Sequence, residues 1–292
     1  MTEAATFAEL RAPLGEPGSA RRRYAAAMAL YQAGEIGADV LEVYRSCASL
    51  DAQDPQVLLD HCGLPSPVLR NLGAAKSIAI LLAEISRYLA RLSGPGLTEV
   101  TQGYAQVVSA KITPQATRPN PVVGQYLSAA LVAAVNDEPA LVGAIRSCAA
   151  YLQWATYDGY DPGEIGADFM QGHAYTSIIG QDAPIAAPDF DLGLFLIAPH
   201  VLYRDHCHPA PELYAPLTGP HGWRFGPNAP LILKPAHDPI WNEPYAPHLT
   251  KVGAVPFLCI FAWTRDTASV ARVIPADDWE ALEKLRLGGN HA

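Results

Sequence analysis

The chain has 292 residues, half of them hydrophobic and 17% charged, with a net charge of −9. That balance supplies enough apolar surface for a packed core and excludes a globally disordered chain. The negative charge argues against a non-specific nucleic-acid binder or an anionic-membrane binder, which leaves small molecules and other subunits as the expected partners.

Residues 1–18, with Pro13 and Pro17, read as a mobile leader, and their start lacks the basic residues and apolar run of a secretory signal. A helix is expected after Ser19, with Arg21, Arg22 and Arg23 on its first turns as a solvated face or subunit contact, followed by a helix over 37–49. The Pro-rich piece 55–67 reads as loop or short turn. Residues 74–92 form a strong helix, because Ile78, Leu81, Leu82, Ile85 and Leu89 recur at helical spacing and Gly94-Pro95-Gly96 stops it. A further helix covers 98–110. Three prolines in 113–121 mark a linker, and helices over 122–135 and 139–152 follow it. No uninterrupted apolar run of about 18 residues occurs, so no membrane span is expected. The five cysteines, Cys47, Cys62, Cys148, Cys207 and Cys259, are scattered and odd in number, as reduced thiols in a cytoplasmic protein would be.

The character changes after Trp154. Residues 156–172 are rich in Gly, Asp and Tyr and read as irregular structure. Short β runs then follow at 173–179, 192–199, 201–207, 211–217, 221–226, 230–235, 246–251 and 254–263, cut by Pro199, Thr218-Gly219-Pro220, Gly226-Pro227-Asn228 and Pro235. Many short strands at this pitch indicate a sandwich or barrel. Residues 276–287 read as a closing helix, with Pro275 near its start and Gly288-Gly289 ending it. The expected class is α+β: a helical extension over 1–121, a helical segment and loop over 122–172 that packs on a barrel, the barrel over 173–275, and a C-terminal helix and tail over 276–292.

One stretch concentrates the chemistry. His206, His208, Glu212 and Tyr214 fall within nine positions. Alternation along a strand puts His206 and His208 on one face, and Glu212 and Tyr214 likewise share a face. Pro209 and Pro211 break the ladder between the pairs, where a bend can aim both at one point. Cys207 points to the opposite face and is no ligand on this reading. Two imidazoles and a carboxylate suit a divalent transition metal ion such as zinc or iron. The spacing His-x-His-x3-Glu, closed by Gly219 with six residues between it and Glu212, resembles the first metal-binding motif of the cupin barrels. That resemblance calls for one more histidine on a later strand. His221, His237 and His248 are the candidates, and His248 is preferred because it follows the proline-containing turn Asn242-Glu243-Pro244-Tyr245-Ala246-Pro247. His173 and His200 read as ordinary, partly buried histidines.

The sequence is similar to one cupin group in particular, the bacterial dimethylsulfoniopropionate lyases. The resemblance rests on His206 through Tyr214, on the approach Asp191-Leu-Gly-Leu-Phe-Leu-Ile-Ala-Pro-His-Val-Leu-Tyr203, and on the upstream segment with Trp154, Gly166-Ala167-Asp168-Phe169 and Tyr175-Thr-Ser-Ile-Ile-Gly180. The exit through Pro247-His248 and Phe261-Ala-Trp263-Thr-Arg-Asp266 also looks similar, so the likeness covers roughly 122–270. About a hundred N-terminal residues lie beyond the shorter family members. His200 stands where the family usually has glycine, and Pro211 where it often has an acid.

The resemblance implies a metal-dependent carbon–sulfur lyase that cleaves dimethylsulfoniopropionate, a zwitterionic sulfonium carboxylate, to acrylate and dimethyl sulfide. One divalent ion of iron, zinc or manganese would sit on His206, His208, Glu212 and His248. Tyr214 would be the base, its phenol, with an ordinary pKa of about 10, being favoured as phenolate by the adjacent dication. Tyr203, Trp223, Trp241, Tyr245 and Trp263 could box the sulfonium, Tyr203 foremost, while Trp154, Tyr157 and Tyr160 could cap the mouth. The helical half supplies apolar surface for a homodimer. Two other classes share these features: another metal-dependent cupin enzyme (isomerase, dioxygenase or lyase on a different small carboxylate) and a non-enzymatic cupin sensor.

Overall fold

A computed structural model describes residues 3–64, 66–70 and 73–287. The helical half comprises α1 (Glu3–Leu10), α2 (Ser19–Gln32), α3 (Ala38–Cys47), α4 (Pro55–His61), α5 (Pro67–Arg70), α6 (Ala74–Leu89), α7 (Leu97–Val107), α8 (Pro121–Ala134) and α9 (Pro139–Cys148). Two short helices, α10 (Pro162–Ile165) and α11 (Ala167–Gly172), lead into the strands. These are β1 (His173–Gly180), β2 (Ile185–Ala186), β3 (Asp191–Ile197), β4 (Leu202–Cys207), β5 (Glu212–Pro216), β6 (His221–Arg224), β7 (Ile232–Lys234), β8 (Ile240–Asn242), β9 (His248–Lys251), β10 (Phe257–Trp263) and β11 (Arg272–Val273). The last element is α12 (Trp279–Lys284). Gly288 and Gly289, the expected stop of that helix, lie outside the described residues.

The leader is not loose. Its α1 buries Phe7 and Leu10 in a small cluster with Ala26, Leu30, Val40 and Tyr44. The second proline-rich piece is also helical, because Asp54 caps α4 by accepting from the Gln56 N–H at 2.8 Å and Pro55 fills the first turn, where a missing N–H costs nothing. Arg23 departs from the solvated-face expectation. It is 3% exposed and donates to the Ala12 and Asp51 carbonyls, both at 2.8 Å, tying the segment before α2 to the loop after α3.

Two sheets face each other as an antiparallel jelly roll, apart from the short parallel pair β1–β2. One has the order β2-β1-β3-β10-β5-β8 and the other β11-β4-β9-β6-β7. The six-stranded sheet is covered on both faces. Leu192, Leu194 and Leu196 of β3 and Leu258, Ile260 and Ala262 of β10 join one core with Ile78, Leu81, Leu82 and Ile85 of α6 and with residues of α8 and α9. The alternate residues, Phe195 and Ile197 of β3 and Phe257, Cys259 and Phe261 of β10, face the other sheet in a second, largely aromatic core. Strand alternation therefore decides which side chains of β3, β5 and β10 look into the barrel and which look at the helices. Gly96, at φ +78°, lets α7 approach this sheet: a Cβ there would collide with the Trp241 ring. Among the described residues no helix is long and apolar enough to cross a membrane.

Candidate metal centre

The site is assembled from both sheets. β4 and β9 pair in the five-stranded sheet with His206 directly opposite His248. Residues 208–211 then carry the chain across, and Glu212 and Tyr214 enter the six-stranded sheet on β5. On β4, His206 follows Tyr203 by three positions, while their partners on β9, His248 and Thr250, are two positions apart. One extra residue on one strand is a β-bulge, which reverses the side-chain phase. The bulge brings Tyr203 and His206 to the same face, where their rings stack at 3.8 Å between centroids. Cys207 points away, and its sulfur accepts from the Arg272 Nε–H at 3.2 Å.

His206, His208 and His248 are buried, and one ligand atom from each lies within 4.8 Å of the others. Every Nδ1 is committed to a backbone carbonyl: His206 to Arg204 at 2.8 Å, His208 to Ala210 at 2.8 Å and His248 to Ala246 at 2.9 Å. A carbonyl only accepts, so each Nδ1 carries the proton and each Nε2 presents a lone pair to the centre. The Nε2 atoms of His206 and His248 are buried without a hydrogen-bond partner. Orphaned acceptors in a buried position are costly in a folded protein, and a cation at their meeting point relieves that cost.

Glu212 closes the group. Its Oε2 lies 3.2 Å from His208 Nε2 and 3.3 Å from His248 Nε2. Asn242 donates to Oε2 at 3.0 Å, and the Trp263 indole N–H donates to Oε1 at 2.8 Å. Burial opposes the Glu212 charge, but His208 and His248 outweigh it and hold the carboxyl well below the usual carboxylate range. Burial lowers the His206 pKa far below its ordinary value, reinforced by the neighbouring His248 and His208. Burial also lowers His208, yet Glu212 more than compensates and the net shift is upward. Three imidazoles with free lone pairs and one anionic carboxylate, oriented by outer hydrogen bonds, fit a divalent transition ion.

The centre opens on a cavity of about 200 Å³ lined by Tyr157, Tyr160, Phe169, Tyr203, Tyr214 and Trp263 among others. Trp263 stacks on His208 at 4.5 Å, and the Tyr203 and Tyr160 hydroxyls are 2.7 Å apart. Burial pushes the Tyr214 phenol well above its ordinary pKa, and the Glu212 charge adds to this. The other aromatic residues singled out in the sequence lie elsewhere. Trp241 pairs in register with Leu213, which faces the helices, so its ring packs against Gly96 outside the barrel. Trp223 is fully buried behind Tyr214, with ring centroids 5.7 Å apart. Tyr245 is 58% exposed and meets the site only through its backbone N–H, which donates to the His208 carbonyl at 2.8 Å. Trp154 donates to the Ala149 carbonyl and does not line the cavity.

The remaining histidines have other work. His221 accepts from the Gly253 N–H at 3.0 Å, and His237 meets the Tyr88 hydroxyl at 3.0 Å. His173 accepts from the Tyr157 N–H at 3.0 Å with its Nδ1 2.6 Å from the Phe169 carbonyl, which fixes the loop carrying Tyr157. His200 sits at φ +64°, in the left-handed region that explains why glycine suits this position.

Comparison with known proteins identifies the family and the fold. A family model for dimethylsulfoniopropionate lyases matches residues 99–259, more than half of the chain. The chain belongs to the dimethylsulfoniopropionate lyase family. The match to this family begins in α7 and contains His206, His208, Glu212, Tyr214 and His248. Within the family, the chain is similar to dimethylsulfoniopropionate lyase DddQ of Ruegeria pomeroyi, at 29% identity over 141 residues. That alignment takes in 48% of this chain and 65% of the relative, so the chain spans just under two thirds of the curated protein's length. The crystal structure of DddQ from Ruegeria pomeroyi DSS-3 superposes with a TM-score of 0.51 at 26% identity, over 68% of this chain and 95% of that one. A chain from the crystal structures of the lyases RdDddP and RnDddQII superposes with a TM-score of 0.54 at 17% identity, over 70% of this chain and all of that one, a likeness of fold.

Proposed function

We propose that this protein is a metal-dependent carbon–sulfur lyase that converts dimethylsulfoniopropionate to acrylate and dimethyl sulfide. The observation that carries the reading is a buried three-histidine group, with the Nε2 atoms of His206 and His248 unpaired, set beside Tyr214 in a chain of the lyase family. His206, His208, His248 and Glu212 would hold one divalent ion of iron, zinc or manganese. When bound, that ion supplies Lewis acidity toward a substrate carboxylate and a positive charge that favours a nearby phenolate.

The proton to be removed lies α to a carboxylate and is only weakly acidic. Tyr214 would take it, a role supported by its place on the inward face of β5 with Glu212. Its hydroxyl must first lose a proton, against the pull of burial and of the Glu212 charge. Tyr203, hydrogen-bonded to Tyr160 and stacked on His206, fixes the wall opposite and offers a polar tip to the substrate. Dimethyl sulfide leaves as a neutral molecule, so no second proton donor is required. Both faces of Tyr203 are covered, by His206 and Phe169, so the sulfonium is left to the Trp263 face turned away from His208, which attracts it by roughly 0.5–2 kcal/mol per good contact. The test is headspace detection of dimethyl sulfide from metal-loaded protein. Release that stops on chelation and in Tyr214→Phe with metal retained is expected; full activity of that variant removes Tyr214 as the base.

A further inference from the structure

The cavity holds a second carboxylate that metal binding does not use. Asp191 opens β3, and its register partner on β10 is Trp263, whose partner on β5 is Glu212. Residues directly opposite in a ladder share a face, so Asp191, Trp263 and Glu212 form one row pointing into the barrel. Strand spacing puts Asp191 and Glu212 about 10 Å apart at the backbone, with the Trp263 indole between them. Asp191 lines the cavity, beside Tyr175, Phe261, Thr267 and Ser269.

Its environment is incomplete. Ser177 donates to Oδ2 at 3.0 Å, while Oδ1 is buried without a partner, as is the Ser269 hydroxyl. Among the described residues, Asp191 makes no ion pair. A carboxylate in that position costs stability unless a cation joins it. Burial pushes its carboxyl up to about 7, with the Ser177 hydrogen bond opposing, as befits a group lacking its counter-charge.

We propose that Asp191 is the anionic anchor for the cationic end of the substrate, so that the site selects onium zwitterions over plain carboxylates. The inference rests on the proposed carboxylate-binding metal centre for the substrate's other end. In dimethylsulfoniopropionate three bonds separate the sulfonium from the carboxyl carbon, a reach of about 4 Å at ordinary bond lengths. A carboxylate held at the histidine end therefore extends its cation over the Trp263 face toward Asp191.

The test uses two ligands of equal shape, 3-(trimethylammonio)propanoate and its uncharged-headgroup counterpart 4,4-dimethylpentanoate, titrated calorimetrically into metal-loaded protein. Wild type is expected to bind the ammonium ligand about tenfold or more tightly than the isostere. Asp191→Asn is expected to abolish that preference while leaving isostere affinity within about threefold, and to melt no lower than wild type, since it removes an uncompensated charge. Asp191→Ser serves as a second variant with the same expected loss of preference. Absence of preference in wild type overturns the proposal whatever the variants do. So does an equal loss of both ligands in Asp191→Asn, which marks a structural role, or failure of wild type to bind either. A wild-type preference that Asp191→Asn abolishes, in a protein that releases no dimethyl sulfide, supports the anchor and contradicts the lyase reading instead.

Discussion

Trp263→Phe isolates one hydrogen bond of the metal centre. The indole N–H donates to Glu212 Oε1 at 2.8 Å while its ring stacks on His208 at 4.5 Å. Phenylalanine keeps an aromatic face over the imidazole and deletes only the donor. A hydrogen bond to a charged group contributes about 1.5–3 kcal/mol. Oε2 keeps the bond from Asn242, so the carboxylate stays in place but is less well oriented. Loss of such an outer-sphere partner lowers metal affinity by about 10–100-fold, the same range expressed as an equilibrium ratio. Competition against a chromophoric chelator measures the affinity, and circular dichroism confirms the fold. Affinity within about twofold of wild type, in a folded variant, would refute the orienting role of the indole N–H.

Three other outcomes follow from the same geometry. Asp205→Ala should lower stability by about 3–5 kcal/mol in denaturant titrations, because it leaves the buried Arg224 guanidinium with Asp278 alone and removes the acceptor of the Trp279 N–H, loosening α12 from β4. Burial pushes His173 and His221 down to about 4, against an ordinary value near 6.5, so the unfolded chain binds more protons in that interval. Their share of stability is lost as pH falls from ~6.5 toward ~4, opposite in sense to Asp60 and Asp191, whose carboxyls burial pushes up to about 6 and about 7; the stability of wild type relative to His221→Gln should therefore fall over that window, and a constant difference contradicts the burial of a neutral imidazole. Tyr160→Phe unpairs the Tyr203 hydroxyl, with an expected cost of about 0.5–1.5 kcal/mol in stability and lower turnover at unchanged metal content.

Much of this arrangement was legible in the sequence because it depends on spacing. The stripe from Ile78 to Leu89 reads as a helix and is one, and alternation correctly sends Cys207 away from His206. What spacing cannot show is register between distant strands. Trp241 faces the helices because it pairs with Leu213, a partner chosen by tertiary structure. The bulge that brings Tyr203 beside His206 breaks local alternation and is visible only against β9. Asp191 was legible as part of a family-like stretch, but its place in a row with Trp263 and Glu212 needs the order of three strands that are far apart in sequence. The short helices α1 and α4 hid behind prolines that end one element and start the next.

The proposed chemistry depends above all on His206, His208, His248 and Glu212 converging on one divalent ion beside Tyr214. Metal analysis of purified protein, paired with X-ray absorption at the metal edge, tests that convergence most directly. One ion per chain with three imidazole ligands is expected, with near-complete loss of metal in His248→Ala. An ion retained in that variant with an unchanged absorption spectrum would contradict it.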